Sequence, residues 1–298
     1  MAERWIGIEA GGTKVVCAHG SGPDDLSAPT RIPTTTPEET LRAIVDWVRW
    51  CLADGDVAGI GLASFGPLDL DPKSPTYGHL TTTPKPGWAG ADLLGPLREV
   101  FDGPIAIDTD VNGAALGEVR WGAGADVPSL AYVTIGTGVG VGAIVEGSPL
   151  HGLLHPEAGH ILVRRHPDDP FAGRCPAHGD CLEGLACGPA WLDRWGVTSE
   201  QMDPETLERA VSIQASYLGQ LVGTLVLVLS PHRIVFGGGV MGQPGLLART
   251  RAAAAEVLNG YVDVPALTDG MDRYLVAPGL GDRAGVLGAI ALAQRTRQ

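Results

Sequence analysis

The sequence predicts an α/β protein of two domains, with a duplicated strand–glycine–strand hairpin and a zinc-binding loop. Short apolar runs alternate with helical periodicities along the chain. Glycine-rich turns at Gly11, Gly136 and Gly237 each follow such a run, and His160, Cys175, His178 and Cys181 cluster between the second and the third. At 298 residues the chain exceeds the size at which one core stops growing, so two domains with a cleft between them are the default.

Composition narrows the function. Acidic residues number 34 against 21 Lys and Arg, a net charge of -13, which repels nucleic acid and anionic membrane and favours a small ligand. The N-terminal MAERWIGIEAGG lacks a basic segment followed by an apolar run, and no uninterrupted apolar stretch approaches the roughly 20 residues of a membrane helix. A cytoplasmic protein is expected. Of five cysteines, Cys17, Cys51 and Cys187 lie in apolar contexts without partner spacing, as reduced core thiols do.

Residues 4–9 read as a strand, Ala10-Gly11-Gly12-Thr13-Lys14 as a tight turn and residues 15–18 as a second strand. Paired glycines let backbone approach an anion, Thr13 offers a hydroxyl and Lys14 a charge, so the turn suits a phosphate; a plain hairpin accounts for the same glycines equally well. Residues 37–53 carry apolar side chains at 41, 44, 45, 48 and 52, an amphipathic helix opened by Thr36 or Pro37. A buried strand at 57–63 runs into Ser64-Phe65-Gly66-Pro67 and a long irregular stretch through Tyr77, Lys85 and Trp88, read as a binding loop or a poorly ordered flap. A helix is predicted over 91–101 and a strand over 105–107. Asp108-Thr109-Asp110-Val111-Asn112 then opens a helix to about Glu118, which makes Asp110 either an N-cap or a carboxylate at the C-terminal edge of a sheet, where α/β folds bind ligands.

Residues 131–145 repeat the opening pattern around Gly136-Thr137-Gly138-Val139-Gly140, the mark of an internal duplication, and two such hairpins would suit a nucleotide triphosphate tail. In the stretch from 155 to 185, Cys175, His178 and Cys181 are spaced C-x2-H-x2-C, and His160 supplies a fourth ligand from fourteen intervening residues away. Four protein ligands close the sphere of a Zn2+ ion, so the site is structural, the clamp of a loop too polar to pack alone, and a zinc hydrolase is disfavoured. Two buried thiols and two solvated histidines are the alternative, but Pro176 and Gly179 interleave the ligands as a knuckle turn would. Glu157 and His160 share a face if their segment is a helical turn, and Glu183 follows the last ligand by two residues. These acids either meet the hydroxyls of a sugar or polyol or brace the metal's histidine. A long helix is predicted over 204–229 and a strand over 233–236, leading into Gly237-Gly238-Gly239. A helix over 245–258, a strand over 274–277 and a helix over 284–294 that returns to the first domain complete the chain. The boundaries expected are 1–115 with 283–298 for a small domain and 116–282 for a large one holding the zinc loop.

The ordered motifs G-I-E-A-G-G-T-K, F-G-P, T-P-K-P-G-W, D-T-D-V-N-G-A, T-I-G-T-G-V-G, E-A-G-H, C-x2-H-G-x-C-L-E-G and F-G-G-G-V resemble those of the ROK sugar kinases, over nearly the whole chain. E-A-G-G-T-K, the Y-G-H stretch and His178 in place of a third cysteine resemble the family's bacterial fructokinase branch. The resemblance implies an actin/hexokinase-like (ribonuclease H-like) fold, ATP with Mg2+, a structural Zn2+, a homodimer, and phosphorylation of fructose at its 6-hydroxyl with the domains closing on the sugar. A glucokinase or mannokinase is the alternative, because the pocket residues do not encode which epimer binds. By position, the resemblance implies Gly11, Gly12, Thr13 and Lys14 for the first phosphate loop, Gly136, Thr137 and Gly138 for the second, and Gly237, Gly238 and Gly239 for the adenosine loop. It implies Asp110 as catalytic base, with Asn112, Glu157, His160, Glu183, Lys85 and Gly66 binding substrate. Glu9 stands where most of the superfamily has an aspartate that organises magnesium. Sugar-responsive repressors of the family carry a helix-turn-helix ahead of the first loop, and with eight residues before Glu9 that reading is disfavoured.

Overall fold

In the computed structural model, which describes residues 3–297, the first two apolar runs pair antiparallel as β1 (Trp5–Ala10) and β2 (Lys14–Gly20), with Ile8 opposite Cys17. β3 (Thr30–Pro33) pairs antiparallel with β2. Helix α1 (Pro37–Ala53) follows, its N-cap Thr36 accepting from the Glu39 N–H and Pro37 occupying the first turn. β4 (Gly59–Ser64) runs parallel to β1; after a short α2 (Gly95–Arg98), β5 (Ile105–Thr109) runs parallel to β4 and leads into α3 (Asp110–Trp121).

The second half opens with β6 (Leu130–Ile135) and β7 (Val139–Val145), and β7 pairs antiparallel with β8 (Ser148–Pro149). The zinc-loop stretch precedes two helices, α4 (Leu182–Ala186) and α5 (Gly188–Trp195), and then the 25-residue α6 (Pro204–Val228), capped by Asp203. β9 (Arg233–Gly237) runs parallel to β6. Helices α7 (Leu246–Leu258), α8 (Pro265–Thr268) and α9 (Met271–Tyr274) follow, then β10 (Leu275–Val276), parallel to β9, and finally α10 (Ala284–Gln294). The sheets run β3-β2-β1-β4-β5 and β8-β7-β6-β9-β10. The same order and the same mixture of antiparallel and parallel pairs appear twice, so the duplication suggested by the glycine turns extends to the whole sheet.

Contacts group residues up to Asp126, Gly142–Pro156 and the chain from Gly279 onward in one unit, and Val127–Val141 with Glu157–Pro278 in a second. In the first unit, Ile6, Ile8, Val15, Cys17, Ile44, Val48 and Leu62 form a core between the sheet and α1. On the other face lies α10, ten of whose residues, 284 to 293, are buried. A helix apolar all round needs cover on every side, and glycines supply it: a methyl on Gly61 would strike the Ala289 carbonyl, and one on Gly288 the Gly113 carbonyl. In the second unit α6 is apolar and long enough to cross a membrane, but 67% of that window is buried in the core. Gly219 lets it approach α7, since a methyl there would lie 2.7 Å from the Ala253 Cβ.

Some predicted elements shrink. The helix over 91–101 is reduced to α2, because the Asp92 carboxylate caps the Leu94 and Gly95 N–H groups at 3.0 and 2.8 Å and so starts the helix late. The strand over 274–277 is reduced to β10, since Tyr274 closes α9. The stretch after Ser64 is a packed loop, not a disordered flap: Leu68, Leu80, Trp88 and Leu93 are buried, Phe65 meets Trp88 edge-on at 5.3 Å, and Trp88 Nε1 donates to the Thr35 carbonyl at 2.8 Å. Gly288→Ala should destabilise the protein by about 1–3 kcal/mol, because backbone rather than a yielding side chain blocks the added methyl. A urea midpoint lowered at unchanged slope would register it.

Candidate active site

Asp110 is the first residue of α3, but it does not cap it. Thr109 does, accepting from the Asn112 N–H at 3.1 Å, while Asp110 Oδ1 accepts from the Val111 N–H at 2.9 Å. Burial pushes the Asp110 carboxyl up to about 6 against the pull of the local N–H groups. Glu9, one residue before the end of β1, is pushed up to about 7, first by burial and then by the charge of Asp110; Lys14 pulls the other way and Asp282 adds to the push. Room for the longer glutamate comes from Gly285, where any Cβ would collide with the Glu9 carboxylate. Hard oxygen donors gathered so that one raises another's proton affinity fit a divalent cation such as Mg2+.

Beneath this acid pair runs a network that the sequence did not disclose. Asp108 is 1% exposed and accepts from the Thr109 N–H at 2.7 Å, Asn112 Nδ2 at 2.8 Å and His151 Nε2 at 3.0 Å. Asn112 is fully buried, with its Oδ1 accepting from the Ala143 N–H at 3.1 Å. That bond links α3 to β7. Lys85 Nζ donates to the Gly12 carbonyl at 2.6 Å and to the Thr34 carbonyl at 3.3 Å. Gly66 lies against His155, whose buried ring accepts from the Leu68 N–H at 3.0 Å and is held below its ordinary pKa by burial.

The glycines of the three turns divide by what surrounds them. Gly12, Gly136 and Gly239 face open space, where a ligand can approach the backbone. Gly237 and Gly238 are required by packing instead: a Cβ at 237 would lie 2.5 Å from the Tyr132 hydroxyl, and one at 238 would strike Ile135 backbone. Gly11 sits with its N–H on the Lys14 carbonyl at 3.0 Å, while Thr13, Lys14 and Thr137 are exposed.

In the second unit, ligand atoms of His160, Cys175, His178 and Cys181 all lie within 4.8 Å of one another. His160 Nδ1 is 3.6 Å from Cys175 Sγ and 3.5 Å from Cys181 Sγ, and His178 Nδ1 is 3.7 Å from Cys175 Sγ. Zn–S and Zn–N bonds of about 2.3 and 2.0–2.1 Å at a tetrahedral angle require S···N of ~3.6 Å. The residues present therefore fit a zinc ion. The knuckle closes as a small hairpin, with Cys175 and Gly179 exchanging N–H···O bonds of 3.0 and 2.8 Å around a left-handed Gly179, φ 68°. Glu157 and His160 flank a single 3-10 turn, Ala158–His160, which sets residues three apart on one side. With Nδ1 turned toward the sulfurs, His160 Nε2 points toward Glu183 Oε1, 3.9 Å away. Sequence reasoning missed the other fastener of this loop, Asp169. Its buried carboxylate takes Arg194 Nε and Nη2 at 3.0 Å each and the Tyr217 hydroxyl at 2.6 Å.

The repeated sheet, with a glycine turn after the first strand of each half, defines the class as actin/hexokinase-like α/β. The ROK family model matches residues 5–296, and the chain belongs to the ROK family. It is similar to the fructokinase of Zymomonas mobilis, 48% identical over 96% of this chain and 95% of the relative. Identity to a glucokinase of Halalkalibacterium halodurans is 29%, over 97% and 94% of the two chains. The crystal structure of a ROK hexokinase from Thermus thermophilus superposes with a TM-score of 0.79 at 27% identity, covering 99% of each chain. Elemental analysis of the purified protein should give one zinc per chain, and Cys181→Ser should cut zinc retention during dialysis against a chelator by about tenfold or more.

Proposed function

We propose that the protein transfers the γ-phosphoryl group of ATP to the 6-hydroxyl of fructose. One observation carries this reading: Asp110, relieved of capping by Thr109, presents a partly buried carboxylate of raised basicity at the C-terminal edge of the first sheet. The likeness to a fructokinase at 48% identity, against 29% for a glucokinase, supports fructose over the other epimers.

Asp110 accepts the hydroxyl proton as the sugar oxygen attacks the γ-phosphorus and ADP leaves. Glu9 and Asp282 are the oxygen donors that would hold magnesium, leaving Asp110 to accept the proton. When bound, that ion supplies neutralisation of the phosphate charge. Lys14 adds a cation at the first glycine turn, and the open positions at Gly12 and Gly136 admit phosphate oxygens. Glu157 and Glu183 accept hydrogen bonds from sugar hydroxyls, with His160 held between them and the zinc. Asn112 and His151 act one step back, fixing Asp108 and so the start of α3.

With ATP and Mg2+, kcat/KM should be highest for fructose among fructose, mannose and glucose; a clear preference for glucose would overturn the substrate while leaving the family intact. Asp110→Asn should lower kcat by about 10²-fold or more with little change in sugar affinity.

The same substitution has a second signature. The base works only when ionised, so wild-type log(kcat/KM) should fall with unit slope as pH drops below about 6. A carboxyl whose folded pKa is raised contributes stability below its unfolded pKa and loses it as pH rises through the folded value. Asp110→Asn should therefore raise Tm at pH 8 and leave it unchanged near pH 3.

A further inference from the structure

The zinc knuckle and the second glycine turn, far apart in sequence, meet at one peptide. Glu183 follows the last zinc ligand by two residues, and its Oε2 accepts the Val139 N–H at 3.0 Å. The carboxylate comes so near the turn that a Cβ on Gly138 would stand 2.7 Å from Oε2. A side chain at 138 would therefore displace the Glu183 carboxylate from its bond to Val139. On the other side of the same residue, a Cβ on Gly159, next to His160, would collide with the Val139 carbonyl. Gly188, at the start of α5, donates its N–H to the Gly136 carbonyl at 2.7 Å. Both segments are tied to the knuckle, because the Leu182 N–H donates to the Ile161 carbonyl at 2.9 Å and Leu162 bridges to Cys181.

We propose that Glu183 is a positioning residue that couples the metal knuckle to the Gly136–Val139 turn, so that losing the ion loosens the nucleotide's turn as well as the sugar's carboxylates. One oxygen of Glu183 holds the turn while the other faces His160 Nε2. With zinc on Nδ1, the His160 ring would be fixed, and Glu183 Oε1 would keep a fixed neighbour 3.9 Å away while Oε2 holds Val139. Without it, His160 and the Cys175–Cys181 hairpin are released together, and the carboxylate that braces Val139 loses its backing. The proposal rests on the reading of this turn as a nucleotide-binding element, but its first test does not.

Amide hydrogen exchange of the full-length zinc-loaded protein, resolved at Val139, is that test. Glu183→Ala should speed Val139 exchange by about tenfold or more, since an N–H bonded to a carboxylate loses a charge-assisted partner. Glu183→Gln, whose side-chain carbonyl still accepts, should stay within about threefold of wild type. Zinc-stripped wild type should show faster Val139 exchange and weaker binding of ADP in calorimetry, with amides of β1 and β4 unchanged. Unaltered Val139 exchange in zinc-stripped protein whose circular dichroism is native would overturn the coupling, as would unaltered exchange in a folded Glu183→Ala. If Glu183→Ala does not fold, the zinc-stripped protein decides alone. Absence of ADP binding in the zinc-loaded protein would instead sink the nucleotide reading, while the exchange result still judges the link between Glu183 and the turn.

Discussion

The acid pair of the first unit depends on how closely α10 can lie against its neighbours. That helix arrives last in the chain, yet it touches the elements that carry the chemistry. Gly285 clears space for the Glu9 carboxylate, and Gly117, facing the Ala284 carbonyl at 2.9 Å from where a Cβ would stand, lets α3 come down on α10. Because α3 begins at Asp110 and β1 carries Glu9, both carboxylates sit on elements whose approach to α10 depends on glycine. Close packing of this kind transmits small displacements. A single methyl at this interface would therefore shift charge as well as cost stability.

In the second unit, the loop between His160 and Cys181 is held at two points by different physics. At the tip Cys175, His178 and Cys181 converge with His160 at separations that fit a zinc ion. The base is held by Asp169, whose Arg194 partner is 4% exposed and stacks on the Phe171 ring at 4.8 Å. Burial alone would raise the Asp169 carboxyl, but Tyr217, the Phe171 N–H and Arg194 outweigh it and hold the group below the ordinary carboxylate range. Stability from a depressed carboxyl is present above its unfolded pKa and disappears only as pH falls through the folded value. The anchor thus persists across the range in which Asp110 titrates. Breaking such a buried pair from one side costs about 3–5 kcal/mol, so this anchor holds the base of the loop independently of the tip.

What the sequence disclosed was whatever chemistry leaves a local trace. Glycine turns flanked by apolar runs marked both hairpins, because tight backbone reversal needs residues without Cβ. The C-x2-H-x2-C spacing marked the knuckle because one turn must present three donors, and the structure adds the separations that fit a tetrahedral ion. Asp110 was ambiguous for a physical reason: an acid at a helix start is a cap or a ligand group, and only coordinates show Thr109 doing the capping. The rest was hidden by distance along the chain. Asp108 and His151 are 43 residues apart and Lys85 and Gly12 are 73 apart, and no periodicity links such pairs. A polar side chain in a motif gives no sign of the backbone groups it also meets, as Lys85 does at Gly12 and Asn112 at Ala143.

The two glycine turns show how a duplicated element diverges while its geometry is kept. Around the first, Thr34 brackets the turn, its N–H donating to the Thr13 carbonyl at 3.0 Å and its hydroxyl to the Gly11 carbonyl at 2.8 Å, and Lys85 adds a charged donor to Gly12. Around the second, a carboxylate accepts the Val139 N–H and a backbone N–H from Gly188 holds the Gly136 carbonyl. The first brace binds carbonyl oxygens with cationic or neutral donors, which adds positive charge beside the turn. The second uses an anion, with one Glu183 oxygen on the Val139 N–H and the other turned toward His160. The first brace therefore ties its turn to Thr34 and Lys85, and the second ties its turn to the segment that carries His160, Cys175, His178 and Cys181.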